Sequence, residues 1–295
     1  MLDFFGKDAS ELKKKTLWLL DMDGTIYQEE KIFEGTLDFL DAILANGGKY
    51  VFITNNSSKS VTDYLEIVHR MGIKADEENF FTSAQATILY LKECYPDAKV
   101  YCEGTRSLIR ELEQSGIHVT EKVEPVDIVL MGFDMELTSQ KLRNTCEILT
   151  TQNVVYLATN PDWVYPVSFG FVPDCGSICG MIKNATGKYP QYIGKPEPTM
   201  VNIVRKKMNK SAEETVVVGD RLYTDIAAGL NAGVTAIDVL SGESTVEDIL
   251  KDAVKPTYTF RDVREIYKII RQFFCHKLGY RKGPCSVMRE FCCED

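Results

Sequence analysis

Short apolar runs alternate along the chain with segments that carry apolar residues at helical spacing. The run at residues 17–20 is wholly apolar and ends at Asp21, which is typical of a strand buried on both faces of a parallel sheet. A helical pattern follows and stops at Gly47 and Gly48, a second buried strand covers residues 50–54, and a helix covers residues 61–70. Strand and helix alternate as in a βαβ unit.

The same alternation returns near the C-terminal end of the chain. Strands are predicted there at residues 192–194, 215–219 and 234–239, and helices at 200–208, 223–230 and 263–274. The intervening region has its own predicted strands, at 99–102, 128–131 and 154–158, and its own helices, at 84–93 and 139–149.

These segments predict an α/β fold with a Rossmann-like core on a parallel sheet and a second, inserted α/β domain. The core takes residues 1–82 and 188–274, the inserted domain takes residues 83–187, and a cysteine-rich tail takes residues 275–295. A chain of 295 residues is longer than one hydrophobic core usually needs, which agrees with this division.

The charge of the chain argues against a nucleic-acid partner. Its 34 Lys and Arg against 43 Asp and Glu give a formal net charge of −9, so there is no basic excess to neutralise phosphates. No apolar run approaches the roughly 18–20 residues of a membrane span. The first residues are charged where a secretory signal is apolar. We therefore expect no membrane partner and a cytoplasmic location.

Nine cysteines without an export signal are expected to be reduced thiols. Four of them lie in the tail, where Cys275 and Arg281 have the C-x5-R spacing of cysteine phosphatases. That mechanism needs a loop after a strand, whereas a helix is predicted before Cys275. A zinc site is disfavoured because the tail has no C-x₂₋₄-C pair. We interpret the tail as a flexible, oxidation-prone extension.

Four polar segments follow predicted strands, at the strand ends where open α/β sheets bind ligands. The first, residues 21–25 (DMDGT), has two carboxylates that can share a hard cation through their oxygens. A calcium loop is excluded because its sixth and twelfth positions hold Ile26 and Ile32. Taken alone, the segment also fits a turn with solvated acids.

The second segment, residues 54–58 (TNNSS), offers neutral donors to an oxyanion beside a helix N-terminus. Capping of that helix by Ser58 or Ser60 explains part of the same run. The third is Lys195 in a Gly-Lys-Pro turn, which is either a placed cation or a surface lysine.

The fourth segment, residues 219–225 (GDRLYTD), adds Asp220 and Asp225 at a strand end, although Asp225 also fits an ordinary first-turn helix acid. Together the four segments describe a metal-assisted phosphoryl-transfer site. Acids alone repel a phosphate, so a divalent cation has to bridge the two and the lysine has to cover the remaining phosphate oxygens.

The order and spacing of these motifs resemble the haloacid dehalogenase superfamily. The resemblance runs through D-x-D-G-T at 21–25, Thr54, Lys195 and G-D-x-x-x-T-D at 219–225, and it covers residues 14–274. The Asn-Asn-Ser-Ser run and the long insertion resemble the NagD-like branch, which includes 4-nitrophenyl-phosphatase-type and phosphoglycolate-phosphatase-type enzymes.

The resemblance implies catalytic and metal-binding roles for four acids. Asp21 is expected to be the nucleophile that forms an aspartyl-phosphate. Asp23 is expected to protonate the leaving oxygen and then activate water. Mg²⁺ is expected on the carboxylates of Asp21 and Asp220 and the backbone carbonyl of Asp23, with Asp225 behind these ligands.

The resemblance also implies substrate contacts. Thr54 and Lys195 are expected to bind the phosphoryl oxygens, with Asn55 and Asn56 in the same substrate-binding set. Tyr165, which follows an Asn-Pro-Asp segment in the inserted domain, is expected to contact the leaving group, against plain packing within that domain.

The function that the resemblance implies is Mg²⁺-dependent hydrolysis of a small phosphomonoester, such as a sugar phosphate or phosphoglycolate, under a cap that excludes bulky substrates. The same site permits phosphoryl transfer to an acceptor other than water. A third alternative is a non-catalytic phosphometabolite-binding protein, against which the four filled motifs argue. The motifs do not choose the substrate or the oligomeric state, although the cap is a candidate homodimer surface.

Overall fold

The computed structural model describes residues 1–29, 31–167 and 169–277. The strands are β1 (Leu17–Leu20), β2 (Tyr27–Gln28), β3 (Lys31–Ile32), β4 (Lys49–Thr54), β5 (Phe80–Thr82), β6 (Lys99–Glu103), β7 (His118–Thr120), β8 (Ile128–Met131), β9 (Val155–Ala158), β10 (Val164–Val167), β11 (Gly170–Pro173), β12 (Gln191–Tyr192), β13 (Thr215–Gly219), β14 (Thr235–Val239) and β15 (Tyr258–Phe260). The α-helices are α1 (Thr36–Ala45), α2 (Val61–Arg70), α3 (Ser83–Cys94), α4 (Arg106–Gln114), α5 (Ser139–Thr151), α6 (Cys175–Thr186), α7 (Thr199–Lys207), α8 (Ala227–Asn231), α9 (Val246–Lys251) and α10 (Val263–Lys277).

The larger sheet has six parallel strands in the order β15-β14-β13-β1-β4-β5. Strand β1 therefore lies between β4 and β13, although these two strands are far apart in the chain. Because parallel strands end at the same edge, the segments that follow β1, β4 and β13 meet there. The predicted α/β fold with a parallel-sheet core is confirmed.

The inserted region forms a second parallel sheet in the order β12-β9-β8-β6-β7. The strand predicted at residues 192–194, on the core side of the boundary at residue 188, is instead Gln191–Tyr192 and pairs with β9 of this sheet. The pattern of two or three residues reveals a strand but not its partner. The exact division into domains stays a prediction.

Alternation along the strands sorts the apolar side chains into separate clusters. On one face of the larger sheet, Trp18, Leu20 and Phe52 pack with α1, α2 and α10. On the other face, Leu17, Leu19 and their neighbours share one cluster with Val100 and Ile128 of the second sheet. The inserted region is therefore fastened to the core by continuous apolar packing, which fixes how the two sheets face each other.

The strands β10 and β11 form an antiparallel hairpin that no sequence pattern predicted. Each contains a proline, Pro166 or Pro173, which normally argues against a strand, but among the described strands these two pair only with each other. Phe169 in the turn is 81% exposed. The hairpin is an outlying part of the inserted region.

The predicted tail lies largely outside the described residues. The backbone of α10 continues through Cys275 to Lys277, so the C-x5-R segment begins in a helix and not in the loop that a cysteine nucleophile needs. Residues 278–295 are not described. Among the described helices, none combines the length and the hydropathy required to cross a bilayer.

Candidate active site

A cavity opens at the carboxyl edge of the larger sheet. It is lined almost entirely by polar side chains, which come from the ends of β1, β4 and β13, from the Lys195 turn and from the inserted region: Asp21, Asp23, Thr54, Asn55, Asn56, Asp162, Tyr165, Asp174, Lys195, Arg221, Thr224 and Asp225. The structure thus brings together all of the predicted site residues except Asp220, which lies immediately beside Asp21 and Asp225.

Lys195 is the centre of the charge arrangement. Its buried ammonium donates to Asp21 Oδ1 and Asp225 Oδ1, each at 2.5 Å, and to the backbone carbonyl of Ile53 at 3.0 Å. Burial opposes the charge on this amine, but the carboxylates of Asp21 and Asp225 outweigh burial and raise the pKa of Lys195. The lysine is a placed cation, and the alternative of a surface lysine is excluded.

Three carboxylates converge beside Lys195. One oxygen each from Asp21, Asp220 and Asp225 lies within 4.8 Å of the other two. Burial, and then the charge of Asp225, raises the pKa of Asp21 to about 7. Burial together with Asp21 and Asp225 raises the pKa of Asp220 well above its usual range. Crowded buried carboxylates fit a hard divalent cation, which binds oxygen ligands and relieves their repulsion.

The carboxylate of Asp220 is held between two glycines. A Cβ on Gly24 or Gly242 would overlap this carboxylate. The backbone N–H of Glu243 donates to Asp220 Oδ2 at 2.8 Å, and the Thr25 hydroxyl lies 3.5 Å from Oδ1. The close backbone approach explains why Gly24 stands in the first motif.

Asp23 points away from this group of three carboxylates, toward the inserted region. Its Oδ1 lies 3.5 Å from the hydroxyl of Tyr165 on β10. Burial raises the pKa of Asp23 to about 6, so both protonation states are accessible near neutral pH. Tyr165 therefore reaches the cavity from the inserted region, and its contact with a leaving group stays a prediction.

The polar side chains at the end of β4 and directly after it either bond to other site residues or keep a donor available in the cavity. Asn55 Nδ2 donates to Asp162 Oδ2 at 2.7 Å and to the Lys195 carbonyl at 3.0 Å, and Asn55 Oδ1 accepts from the Lys195 N–H at 2.8 Å. Asn56 Nδ2 is buried at the cavity without a partner in the described chain. Thr54 lines the cavity and its hydroxyl oxygen accepts from the N–H of Asn56 at 3.1 Å. Asn55 therefore holds Asp162 and the Lys195 turn in place, while the Nδ2 donor of Asn56 has no partner in the described chain.

Sequence reasoning gave no role to four residues that line the cavity: the buried Asp162, Asp174 and Thr224, and the partly buried Arg221. Arg221 lies inside the fourth motif, and Asp162 ends the Asn-Pro-Asp segment that precedes Tyr165. The sequence could have pointed to Arg221 and Asp162 through their places in these segments, but it could not show which residues they pair with. Arg221 Nη1 binds Asp162 Oδ1 at 2.6 Å across 59 residues of sequence.

Comparison with known proteins identifies the family of the chain. A family model for haloacid dehalogenase-like hydrolases matches residues 18–118, and a model for HAD-like hydrolases matches residues 192–266. An acid sugar phosphatase of Staphylococcus aureus (strain MRSA252) is 35% identical over 254 residues, which cover 86% of this chain and 97% of the relative.

Solved structures give the same result. The 4-nitrophenylphosphatase of Thermotoga maritima is 37% identical with a TM-score of 0.83, covering 88% of this chain and 98% of that one. NagD of E. coli K-12 is 32% identical with a TM-score of 0.76, covering 85% and 98%. A glycerol phosphate phosphatase of Mycobacterium tuberculosis, in complex with magnesium, is 27% identical with a TM-score of 0.82, covering 90% and 80%.

An α/β core on a parallel sheet, with acids and a lysine at its strand ends, defines the class of protein, and the relatives identify the branch. The chain belongs to the haloacid dehalogenase superfamily, in its NagD-like branch. Its enzyme class is that of a phosphatase, a phosphoric monoester hydrolase.

Proposed function

We propose that this phosphatase hydrolyses small phosphomonoesters with Mg²⁺, through an aspartyl-phosphate on Asp21. The observation that carries the proposal is the contact of one buried ammonium, that of Lys195, with both Asp21 and Asp225 in a polar cavity. A sugar phosphate or a similar small metabolite is the proposed substrate class. Relatives described as acid sugar phosphatase and glycerol phosphate phosphatase support it.

The donor set of the site supports Mg²⁺ as the cofactor. Asp21, Asp220 and Asp225 present oxygen ligands within one small group, and a related structure is a magnesium complex. We propose that Asp21 and Asp220, with the backbone carbonyl of Asp23, hold the ion, and that Asp225 lies behind them, paired with Lys195. When bound, the ion offsets the negative charge of the phosphoryl group.

Asp21 acts first in the proposed mechanism. Its carboxylate attacks phosphorus, an Asp21 oxygen–phosphorus bond forms, and the bond from phosphorus to the ester oxygen breaks as Asp23 gives that oxygen a proton. Asp23, now ionised, takes a proton from water. The resulting hydroxide attacks phosphorus, inorganic phosphate leaves, and the Asp21 carboxylate returns.

The surrounding side chains serve both steps. Lys195, beside Asp21, covers negative charge that develops on the phosphoryl oxygens. Thr54 and the unpaired Nδ2 of Asn56 are proposed donors to the same oxygens, with Asn55 holding the Lys195 turn in place. Tyr165 lies on the side of Asp23 where the leaving group departs.

Hydrolysis of 4-nitrophenyl phosphate tests the proposal. We expect turnover with Mg²⁺ and none with EDTA, and a loss of at least about 1,000-fold in Asp21→Asn. Asp41→Asn, an exposed change on α1, is the matched control and keeps full activity. Release of phosphate in equal amount to nitrophenol separates hydrolysis from transfer to another acceptor. Full activity in Asp21→Asn excludes the named nucleophile.

We further propose a cytoplasmic homodimer that pairs through the inserted region. Exposed aromatic side chains of that region, Trp163, Phe169 and Phe171, support such a surface. Five cysteines are free thiols, which agrees with a reducing compartment: Cys94, Cys102, Cys146, Cys175 and Cys179. Light scattering after size exclusion tests the proposal: we expect the mass of two chains, and the mass of one chain excludes the dimer.

A further inference from the structure

Asp162 is a buried carboxylate of the inserted region that bonds to the core. It lies between β9 and β10 and is only 2% exposed. Its Oδ1 accepts from Arg221 Nη1 at 2.6 Å, and its Oδ2 accepts from Asn55 Nδ2 at 2.7 Å and Asn160 Nδ2 at 2.9 Å. Both oxygens are therefore committed to named donors, and two of the three donors belong to the catalytic half of the chain.

The two core partners of Asp162 sit inside the predicted catalytic loops. Arg221 follows Asp220 directly, and its Nε also binds Glu243 at 2.8 Å. Asn55 follows Thr54 and holds both the N–H and the carbonyl of Lys195. A single carboxylate thus ties the inserted region to the loops of three motifs at once.

The hairpin that reaches the active site starts two residues after Asp162. Tyr165 on β10 has its hydroxyl 3.5 Å from Asp23, and its ring packs on Phe133 of the inserted region with centroids 5.3 Å apart. The other hairpin strand, β11, leads into α6, which begins beside Asp174. Asn160 bridges Asp174 to Asp162, with a bond of 3.0 Å to Asp174 Oδ1. Both ends of the hairpin are therefore anchored at Asp162.

We propose that Asp162 is a positioning residue that, through Arg221 and Asn55, holds the β10–β11 hairpin over Asp23 and thereby limits the substrate to compact leaving groups. This inference rests on the proposed function of the site. A buried ion pair contributes little net stability against its desolvation, but it fixes geometry strictly because a shift leaves charges unpaired. The Asp162–Arg221 pair therefore affects the selectivity for the leaving group more than it affects the free energy of unfolding.

The chain offers a matched control in Asp134. This carboxylate is also buried, at 4% exposed, and pairs with Lys141 Nζ at 2.7 Å, but its partners Lys141 and Glu136 lie within the inserted region. Asp134→Asn removes a similar charge without touching the contact between the inserted region and the core. It separates a loss of positioning from a general loss of stability.

The experiment compares kcat/KM for 4-nitrophenyl phosphate with kcat/KM for a phosphotyrosine peptide in the full-length protein with Mg²⁺. We expect Asp162→Asn to shift the ratio toward the peptide by at least about tenfold, through a lower KM for the peptide, because the released hairpin no longer excludes a bulky leaving group. Amides of β10 and β11 should exchange hydrogen about tenfold faster in this variant. Asp134→Asn should leave the ratio and the exchange within about twofold of wild type.

Arg221→Lys is the second variant, because a lysine cannot reach Asp162 and Glu243 together. It should shift the ratio in the same direction, and the double variant should add little, since the two residues act as one unit. A ratio unchanged in both single variants, or changed equally in Asp134→Asn, overturns the inference while leaving the phosphatase intact. A wild-type protein without turnover overturns the proposed function and this inference with it.

Discussion

Lys195 is a charged residue that is buried at the centre of the site. Its ammonium has a side-chain exposure of 2% and offsets the charge of two carboxylates, Asp21 and Asp225. An isolated buried charge is costly, so the lysine and its partners depend on one another for burial. The sequence indicated a cation near the acids but not this mutual dependence.

Lys195→Met tests that dependence. We expect kcat/KM to fall at least about 100-fold, because the charge beside the nucleophile is lost. The melting temperature should fall more at pH 8 than at pH 5.5: without the lysine, the uncompensated carboxylates are stable only when protonated, and Asp21 already has a pKa of about 7 with the lysine present.

Lys141→Met is the control for the lysine variant, because Lys141 also pairs with a buried acid, Asp134, but outside the cavity. It should lose stability and keep activity. Equal losses of melting temperature at the two pH values in Lys195→Met contradict the argument.

Asp238 on β14 is a second group whose charged form is destabilised by burial, and it has no role in the proposed mechanism. It is fully buried, and neither carboxylate oxygen has a hydrogen-bond partner in the described chain. The nearby Ser244 hydroxyl donates instead to the Asp220 carbonyl at 2.6 Å. Burial raises the pKa of Asp238 from 3.8 to about 7.

This pKa predicts a pH-dependent stability. The folded state holds the proton more tightly than the unfolded chain, so the stabilisation is complete below about pH 4 and is lost as the pH rises toward 7. Asp238→Asn should therefore increase the free energy of unfolding by about 2 kcal/mol at pH 8 and change it little at pH 4. Urea unfolding measures both values. The exposed Asp41→Asn should show no such difference, and a gain at pH 4 as large as that at pH 8 refutes the assignment.

At the scale of elements, the turn after β1 is constrained by its contact with Asp220. Gly24 has φ +86°, and a Cβ there would come within 2.7 Å of Asp220 Cγ. The chain offers a control in Gly47, which has φ +75° and would have nothing within 4 Å of a Cβ. The two glycines share the left-handed backbone and differ in the contact.

Comparison of Gly24→Ala with Gly47→Ala separates the effect of backbone strain from the effect of displacing the Asp220 carboxylate. Both variants should lose about 1 kcal/mol of stability, from the left-handed backbone. Only Gly24→Ala should also weaken Mg²⁺ activation of 4-nitrophenyl phosphate hydrolysis, by at least about tenfold, because the new methyl group pushes the Asp220 carboxylate aside. A similar loss of activation in Gly47→Ala argues against the displacement.

Local patterns predicted most long elements well and the short ones poorly. Strands 215–219 and 128–131 and helix 61–70 agree with β13, β8 and α2, because each has an uninterrupted apolar run or a clear helical period. Helix 223–230 is instead a π-helical turn, Leu222–Ile226, followed by α8. That turn places Asp225 back toward Lys195, which the apolar spacing alone does not show.

At the scale of the whole molecule, a cluster of buried or partly buried aspartates lies where the two sheets meet. Net charge is −9, and the cavity alone collects five aspartates: Asp21, Asp23, Asp162, Asp174 and Asp225. Screening limits the effect of distant surface acids to about 8 Å at physiological salt. We therefore expect a divalent cation bound at this cluster to stabilise the fold.

Mg²⁺ should raise the melting temperature at pH 7.5, by about 5 °C when it is well above its dissociation constant. The increase should be smaller at pH 5.5, because protons then compete for Asp21 and Asp220, whose pKa values are raised. Scanning calorimetry with Mg²⁺ or EDTA measures the effect. Asp220→Asn should abolish it and Asp41→Asn should preserve it; an unchanged increase in Asp220→Asn rules out this ion site.

The sequence by itself determined the class of fold, the position of the motifs at strand ends and the residue types of the site, because strand and helix periods and strand-end chemistry are local properties. Only the tertiary structure decided which side chains meet. Asp162 reaches Arg221, Tyr165 reaches Asp23 and β12 joins the second sheet because two sheets dock through shared apolar packing. The raised pKa values of Asp21 and Asp220 follow from burial and from the meeting of the β1 and β13 strand ends, which brings their carboxylates together.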